Sequence, residues 1–271
     1  MVAMQNGIPI LFALAFFALM TPVCGSAGTF RMATYNLENY LDQPTSSRSH
    51  VKSSEAKTRI RESIKVINAD VLALEEMGST NALCELRSSL QTNGETYPYW
   101  DYVTGFDTNI HVAVLSKFPI VARHSHTNDL FLLDGHPFQV KRGFAEDDIQ
   151  ASTNFIFTII VAHLKSRLVT VEADEAEERL GEAKVLRGII NARLANGPNA
   201  RLVVVGDFND IKSSPAVREI IGRGKTKLFD TRPAEQNGDS AFRQPPYYEP
   251  RDVAWTYFYG KAYQLSRIEN C

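Results

Sequence analysis

Short apolar runs alternate with segments whose apolar residues recur at helical spacing, and no repeat or heptad pattern interrupts them. Two helices are predicted. The first covers Ser54–Ile67, where isoleucine recurs on one face and Ser53 or Ser54 can cap the first turn. The second covers residues 172–194 and stops at an Asn-Gly-Pro sequence at residues 196–198.

Five short apolar runs predict strands, and they lie at residues 30–35, 71–74, 111–115, 155–162 and 202–205. The fourth run is apolar enough to be buried on both faces, as in a strand inside a sheet. Because predicted strands alternate with predicted helices, the simplest interpretation is one mixed α/β domain. A further hairpin is predicted around Asp134-Gly135, within residues 124–149, either beside the substrate entrance or as part of the scaffold.

The N-terminal segment differs from the rest of the chain because its first 28 residues contain no Lys, Arg, Asp or Glu. Its apolar run at residues 8–20 is too short to span a bilayer comfortably, and Gly25 and Ala27 suit a signal-peptidase site. We therefore expect residues 1–27 to be a signal peptide and residues 28–271 to be a secreted or periplasmic domain without a stable membrane span. An uncleaved anchor or a buried N-terminal helix is the alternative.

Composition narrows the class of protein. With 271 residues, 44% hydrophobic and 22% charged, the chain is typical of a globular protein. Its net charge of -2 gives no general electrostatic footprint for nucleic acid, so such a contact must be local. Only Cys84 and Cys271 would remain after signal cleavage, which excludes a disulfide framework.

Polar residues follow the predicted strands at the points where the strands end, and they are Asn36, Glu76, His163, Asp207 and Asn209. Ligand sites in α/β sheets lie at such rims. An acid such as Glu76 is costly to bury without a cation, whereas Asp207 can orient water and Asn209 can donate to a phosphoryl oxygen. Taken singly, each also fits a structural role, as a solvated acid, an Asx turn, a core histidine or a strand end.

Three further charged residues adjoin these positions. Glu38 lies two residues after Asn36 and can share a metal ion, while Lys165 and Arg167 follow His163 and can attract a phosphate. A basic pair near a strand end is also compatible with an ordinary solvated face.

Taken together, the ordered segments YNLEN, LALEEM, HVAVLSKFPI, VAHLKSR and VVVGDFND resemble the endonuclease/exonuclease/phosphatase superfamily. That superfamily includes pancreatic-type deoxyribonucleases, abasic-site endonucleases and bacterial sphingomyelinases. The resemblance runs from about residue 30 to the end of the chain, and five motifs in order make it specific. It implies a four-layer αββα sandwich with two packed mixed β-sheets and a site at one rim.

The resemblance also implies roles for individual residues. Asn36 and Glu76 match the family's Asn and metal-binding Glu, and Glu38 occupies the position of an additional acid. Carboxylates of this kind suit Mg²⁺, with Mn²⁺ as the alternative.

His163 matches a residue that contacts the phosphate, whereas Asp207 and Asn209 match a pair that positions water and stabilises the transition state. The implied function is hydrolysis of phosphoester bonds by an exported phosphodiesterase or nuclease. A phosphatase or a sphingomyelinase-like enzyme is the alternative within this chemistry.

The match departs from the family pattern at the C-terminus. The family continues through an Ile-Asp-Tyr or Ile-Asp-His strand to a Ser-Asp-His motif, but here Glu269 stands where the Asp is expected and Cys271 is the last residue. We therefore expect a sandwich without its last strands and without the histidine that completes the acid-base apparatus. A truncated, non-catalytic binding protein is accordingly the alternative from another functional class.

Other hydrolase and nucleotide-binding signatures are absent from the sequence. It contains no Gly-Asn-His segment of calcineurin-type metallophosphoesterases and no Gly-x-Ser-x-Gly elbow of serine hydrolases. It also lacks a Walker loop, a Cys-rich zinc site and a dinucleotide fingerprint.

Overall fold

The structure is a computed structural model, and it describes residues 29–45, 47–195, 197 and 200–231. The predicted signal peptide and the C-terminal departure from the family pattern lie outside these described residues. Within the described ranges, every helix is too short or too polar to pass through a lipid bilayer.

The described residues form ten strands and four α-helices. The strands are β1 (Met32–Tyr40), β2 (Val71–Met77), β3 (Tyr99–Val103), β4 (His111–Ser116), β5 (Ile120–Arg123), β6 (Leu130–Leu133), β7 (His136–Gln139), β8 (Phe144–Ser152), β9 (Phe155–His163) and β10 (Leu202–Asp207). The helices are α1 (Ser54–Ile67), α2 (Thr80–Thr92), α3 (Glu175–Ala195) and α4 (Pro215–Ile221).

Two four-stranded mixed sheets make up the centre of the domain. The first has the order β1-β2-β4-β3 and the second the order β10-β9-β8-β5. In each sheet one pair is parallel, β1 with β2 and β10 with β9, and the other pairs are antiparallel. The two parallel pairs therefore bring four carboxyl-terminal strand ends to a common side of the sandwich.

Strand β2 shows how the layers are packed. Its alternate residues Leu72 and Leu74 pack with α1 and α2 on the outer face, whereas Val71 and Ala73 pack against the second sheet. A strand buried on both faces reads as a continuous apolar run. On the far side, α3 and α4 cover the outer face of the second sheet. The four-layer αββα sandwich implied by the sequence resemblance is confirmed.

Helix boundaries depend on local capping. Helix α1 has the predicted bounds, and the side chain of Ser53 caps it by accepting from the Ala56 amide. Helix α3 begins three residues later than predicted, at Glu175. The reason is that the Asp174 carboxylate accepts from the Ala176 and Glu177 amides at 2.9 and 3.0 Å, as an N-terminal cap does.

The predicted hairpin at Asp134-Gly135 is confirmed as β6 and β7. Both turn residues have positive φ, 50° and 80°, the combination that a tight type I′ hairpin turn requires. Phe131 of β6 packs on α3 at Gly181, where an added Cβ would lie 2.3 Å from the Phe131 ring. The hairpin is therefore anchored to the outer helical layer.

The apolar pattern does not predict strand β8, because three consecutive acids, residues 146–148, interrupt it. The structure supplies partners for two of them. Glu146 pairs with Arg193 and His126, and Asp148 accepts a 2.6 Å hydrogen bond from the Thr158 hydroxyl. Cross-strand and cross-layer pairing thus accommodates a sequence that periodicity alone does not identify as a strand.

Candidate active site

The side chains of Asn36, Glu76 and Asp207 meet where the parallel pairs end. The Asn36 amide donates to Asp207 Oδ2 at 2.9 Å and to Glu76 Oε1 at 3.2 Å. Across the same rim, His163 Nε2 lies 3.9 Å from Glu76 Oε1. One amide group therefore connects a carboxylate of the first sheet to a carboxylate of the second.

Unusual backbone conformations turn the strand ends toward this cluster. Glu76 has φ of 56°, and the register between β2 and β4 shifts between Leu74 and Met77. In β1, Glu38 and Asn39 have φ of 52° and 62° beside a second register shift. Left-handed conformations of non-glycine residues cost on the order of 1–3 kcal/mol and concentrate at functional sites. The strand irregularities are consistent with a rim shaped for its side chains.

Glu75 and Glu76 have different environments although they are adjacent. Glu75 is only 1% exposed, accepts a 2.6 Å hydrogen bond from the Thr34 hydroxyl, and burial raises its pKa to about 8. Burial also raises the pKa of Glu76, while the Asn36 amide and the charges of Arg142 and Arg48 act in the opposite direction. Sequence reasoning missed the buried state of Glu75, because two successive acids give no signal for which of them is enclosed.

His163 is enclosed at the end of β9, with 2% of its surface exposed. Burial, followed by the charges of Arg142 and Arg48, lowers its pKa well below the ordinary value. The imidazole is therefore neutral near pH 7, and its approach to Glu76 is not an ion pair. No partner for Nδ1 is present among the described residues. A neutral imidazole can donate one hydrogen bond to a phosphoryl oxygen.

The Gly206-Asp207 strand end requires its glycine. Gly206 has φ of 134°, and an added Cβ would lie 1.9 Å from the Ala162 carbonyl oxygen on β9. After it, Asp207 Oδ1 accepts from the Asn209 amide at 2.8 Å, which closes an Asx turn. The side-chain amide of Asn209 donates to the Leu164 carbonyl at 3.0 Å. Asp207 thus closes a turn with one oxygen and meets Asn36 with the other.

Glu38, Lys165 and Arg167 have other partners than this cluster. The Glu38 side chain is 85% exposed and lies 3.5 Å from Lys52 Nζ. Lys165 Nζ donates to the Leu168 carbonyl at 2.7 Å, and Arg167 Nη2 donates to Asp210 Oδ1 at 2.8 Å. The structure therefore brings together Asn36, Glu76, His163 and Asp207, with Asn209 beside them, and places these three charged side chains outside that group.

Helix α3 supports the loop that follows His163. The Glu182 carboxylate accepts from the backbone amides of Lys165 at 2.6 Å and Lys141 at 2.9 Å. Arg179 donates to Asp210 Oδ2 at 2.9 Å and to the Lys165 carbonyl at 3.1 Å. The sequence does not predict these contacts, because acids and bases on a helix are typical of a solvent-exposed face, and only the tertiary structure shows that the loop packs on them.

The oxygen donors of the cluster suit a hard cation. In the part of the chain that the structure describes, no group of three or more His, Cys, Asp or Glu side chains is arranged to hold a metal ion. Mg²⁺ is usually held by only one or two carboxylates, with water and substrate oxygens completing the shell. Glu76 is largely buried, its pKa is raised by burial, and the hydrogen bond from Asn36 leaves Oε2 for another ligand. This donor set fits a divalent ion.

Comparison with known families gives a match over most of the chain. The sequence model described as "Endonuclease/Exonuclease/phosphatase family" matches residues 33–262. No curated protein matches the chain significantly.

Solved structures share the fold at low sequence identity. A β-hairpin deletion mutant of beta toxin from Staphylococcus aureus is 17% identical, with 78% of this chain and 77% of that chain covered and a TM-score of 0.56. For sphingomyelinase C from Streptomyces griseocarneus the identity is 18%, the coverages are 71% and 68%, and the TM-score is 0.51. The human Nocturnin catalytic domain with a bound sulfate anion is 15% identical, with 70% of this chain and 68% of that chain covered and a TM-score of 0.50. These likenesses concern the fold.

Proposed function

Because the chain belongs to the endonuclease/exonuclease/phosphatase family, whose members are phosphoester hydrolases, we propose that it is an exported, metal-dependent phosphodiesterase. The observation that carries this proposal is the contact of Asn36 with both Glu76 and Asp207 beside a neutral His163. Hydrolysis of a phosphodiester needs a positioned water and stabilisation of charge on the phosphoryl oxygens. The cluster offers groups for both tasks.

Glu76 is the principal metal ligand in this proposal, with Mg²⁺ as the preferred ion and Mn²⁺ as the alternative. When bound, such an ion polarises a phosphoryl oxygen and lowers the pKa of a coordinated water. A beta-toxin mutant from Staphylococcus aureus with the same fold, 18% identical and with a TM-score of 0.56, was solved with bound magnesium ions. Glu38 stays a candidate second acid for the metal ion. Its backbone amide donates to Asn36 Oδ1 at 2.8 Å, which connects it to the cluster.

The remaining residues position the attacking water, accept its proton and bind the phosphoryl oxygens. Asp207 orients the attacking water and accepts its proton, while Asn36 keeps the two carboxylates at a fixed separation. His163, neutral and enclosed, donates a hydrogen bond to a phosphoryl oxygen, and Asn209 supports the same region from its Asx turn. Removal of one such donor commonly costs about 10²–10³ in rate. Lys165 and Arg167 stay candidates for longer-range attraction of the phosphate.

The test compares the purified protein with Glu76→Gln and Asp207→Asn on bis-p-nitrophenyl phosphate, with Mg²⁺, Mn²⁺ or EDTA. We expect EDTA-sensitive hydrolysis that falls by at least about 10²-fold in both variants. Glu55→Gln, which removes an exposed acid on α1, is the matched control. Hydrolysis that is insensitive to EDTA and unchanged in both variants would disprove the assignment, while a folded but inactive wild type would favour a non-catalytic binding protein.

A phospholipid is a second candidate substrate, and an apolar edge favours it over nucleic acid. Leu168, Val169 and Val171 follow Arg167 and are all strongly exposed. Apolar side chains that project beside a polar site can insert into the headgroup region of a membrane. Parallel assays with sphingomyelin vesicles, DNA and a phosphomonoester therefore separate the substrate classes, and preferential cleavage of DNA would exclude the lipid assignment.

A further inference from the structure

Two arginines that no sequence motif marks share one carboxylate near the candidate site. Asp107 Oδ2 lies 3.5 Å from Arg48 Nη2 and 3.7 Å from Arg142 Nε. Two guanidinium groups and one carboxylate leave one net positive charge. That charge is complementary to a phosphodiester, which carries one negative charge.

Arg142 connects this trio to the strand that carries His163. Its side chain is 8% exposed, and Nη1 donates to the Leu164 carbonyl at 3.3 Å. The same carbonyl accepts the side-chain amide of Asn209 at 3.0 Å. One backbone oxygen, immediately after His163, therefore fixes both Arg142 and Asn209.

Arg48 is held in place by its loop but keeps donors for a ligand. Its backbone pairs with Thr45 in both directions, at 2.8 and 3.2 Å, and Asn109 donates to Ser47 Oγ at 3.2 Å. The guanidinium donates to Ser47 Oγ at 3.1 Å and faces Asp107, and its side chain is 22% exposed. Since a guanidinium carries five N–H donors, these two partners leave several donors available.

The charges of Arg142 and Arg48 act on the ionisable groups of the candidate site. Arg142 and Arg48 both lower the pKa of His163, and both oppose the rise in the pKa of Glu76 that burial causes. The geometric link is the Leu164 carbonyl, which accepts from both Arg142 and Asn209, and Asp107 then connects Arg142 to Arg48.

We propose that Arg48 binds a non-bridging oxygen of the substrate phosphate, and that Asp107 and Arg142 are positioning residues that hold it at the rim. This rests on the proposed phosphodiesterase function, and it adds a substrate-binding residue from the loop between β1 and α1. A guanidinium is suited to this role because its planar donors match a phosphate edge.

The experiment measures kcat/KM for bis-p-nitrophenyl phosphate and the inhibition constant of inorganic phosphate in wild type, Arg48→Ala and Arg48→Lys. We expect Arg48→Ala to lower kcat/KM and to weaken phosphate inhibition about 10- to 100-fold, as for a lost hydrogen bond to a charged group. Arg48→Lys should recover only part of this loss, because a lysine cannot bind two oxygens in one plane. Arg59→Ala is the matched control, since Arg59 is an exposed arginine paired with Glu55 on α1.

A double-mutant cycle tests the role of Asp107. If Asp107 positions Arg48, replacing Arg48 by Ala costs less in an Asp107→Asn background than in wild type. Equal costs would overturn the positioning role, and equal Tm values of the four proteins establish that folding is not the cause. An Arg48→Ala enzyme with wild-type kcat/KM and phosphate inhibition would overturn the inference while leaving the phosphodiesterase intact.

Direct titration of inorganic phosphate, without substrate, separates this inference from the proposed function. Binding that depends on Arg48 in a protein without hydrolase activity would support the subsite and reject the enzyme. A folded protein with neither hydrolysis nor phosphate binding would overturn both.

Discussion

The two halves of the sandwich, one at the candidate site and one around β3, β5 and β8, both bury carboxylates, but the groups that surround these carboxylates differ. In the half formed by β1, β2, β9 and β10, Glu76 meets an amide donor and lies in the field of two arginines. In the half formed by β3, β5 and β8, Asp147 is fully buried, and burial together with the charge of Asp101 raises its pKa to about 8. A buried acid alone therefore does not indicate a site. Donors and cations that converge on the acid are the informative feature.

In the described part of the chain, Asp147 lacks the hydrogen-bond donor that Glu76 has. No N–H or hydroxyl donor among the described residues satisfies the Asp147 oxygens. Near neutral pH, burial and the neighbouring charge of Asp101 favour the protonated form of Asp147. Arg123 Nε lies 3.5 Å from Asp101 Oδ1, and its charge opposes the rise in the pKa of Asp147 without cancelling it.

The largest expected effect comes from removing the amide that joins the two carboxylates of the site. Asn36→Ala should lower kcat about 10²- to 10³-fold, because Glu76 and Asp207 lose their common donor. Steady-state kinetics on bis-p-nitrophenyl phosphate measure this effect. Asn128→Ala, at an exposed residue, should leave the rate unchanged; the prediction is wrong if the two variants behave alike.

The next effect concerns stability at the same rim. Gly206→Ala should destabilise the fold by about 3 kcal/mol or more, because the new Cβ would meet the Ala162 carbonyl and φ is unfavourable. Urea unfolding measures the free energy. Gly94→Ala is the control, since Gly94 has positive φ but open space around its Cα, and only about 1 kcal/mol is expected there. Equal losses would show that the close contact with Ala162 is unimportant.

A pH dependence distinguishes the two halves. The pKa of Asp147 is raised from 3.8 to about 8 in the folded protein, so its contribution to stability is complete below about pH 4 and is lost as the pH rises through about 8. Asp147→Asn cannot lose a proton, so the decline of its unfolding free energy between about pH 5 and pH 8 should be smaller than in wild type, by at least about 1.4 kcal/mol, the equivalent of one pKa unit. Urea unfolding at both pH values, with Asp134→Asn as an exposed control, decides this; parallel curves for Asp147→Asn and wild type would contradict the raised pKa.

The smallest effect is expected at Glu38. Because its carboxylate is exposed and faces Lys52, Glu38→Gln should raise the Mg²⁺ concentration for half-maximal activity only about two- to three-fold, through a weaker screened attraction. A metal titration of activity measures the shift. A loss as large as that of Glu76→Gln would place Glu38 directly on the metal.

The sequence predicted those features that depend on local periodicity or on motif order. The bounds of α1, the Asp134-Gly135 hairpin and the αββα layers are confirmed, because each follows from spacing, turn chemistry or the ordered motifs. Glu76, His163 and Asp207 lie at or next to the last residue of their strands, as predicted, whereas β1 continues to Tyr40 and only its regular pairing with β2 ends at Asn36. The catalytic roles of these residues stay predictions.

Features that depend on contacts between distant segments were not predictable. The apolar pattern does not reveal strand β8, because the partners of its acids lie on other elements. No sequence motif marks Arg48, Asp107 and Arg142, which lie on three different loops. The different burial of Glu75 and Glu76 depends on a left-handed residue that propensity disfavours. The expected signal peptide and the expected loss of the terminal histidine concern residues outside the described ranges, and both stay predictions.

The double acceptance by Glu182 has a mechanical consequence. One carboxylate on α3 holds the amide of Lys165, two residues after His163, and the amide of Lys141, immediately before Arg142. A shift of α3 would therefore carry the histidine and the arginine in the same direction, and preserve their spacing. Stress applied to the outer helical layer would move this side of the site as one rigid piece.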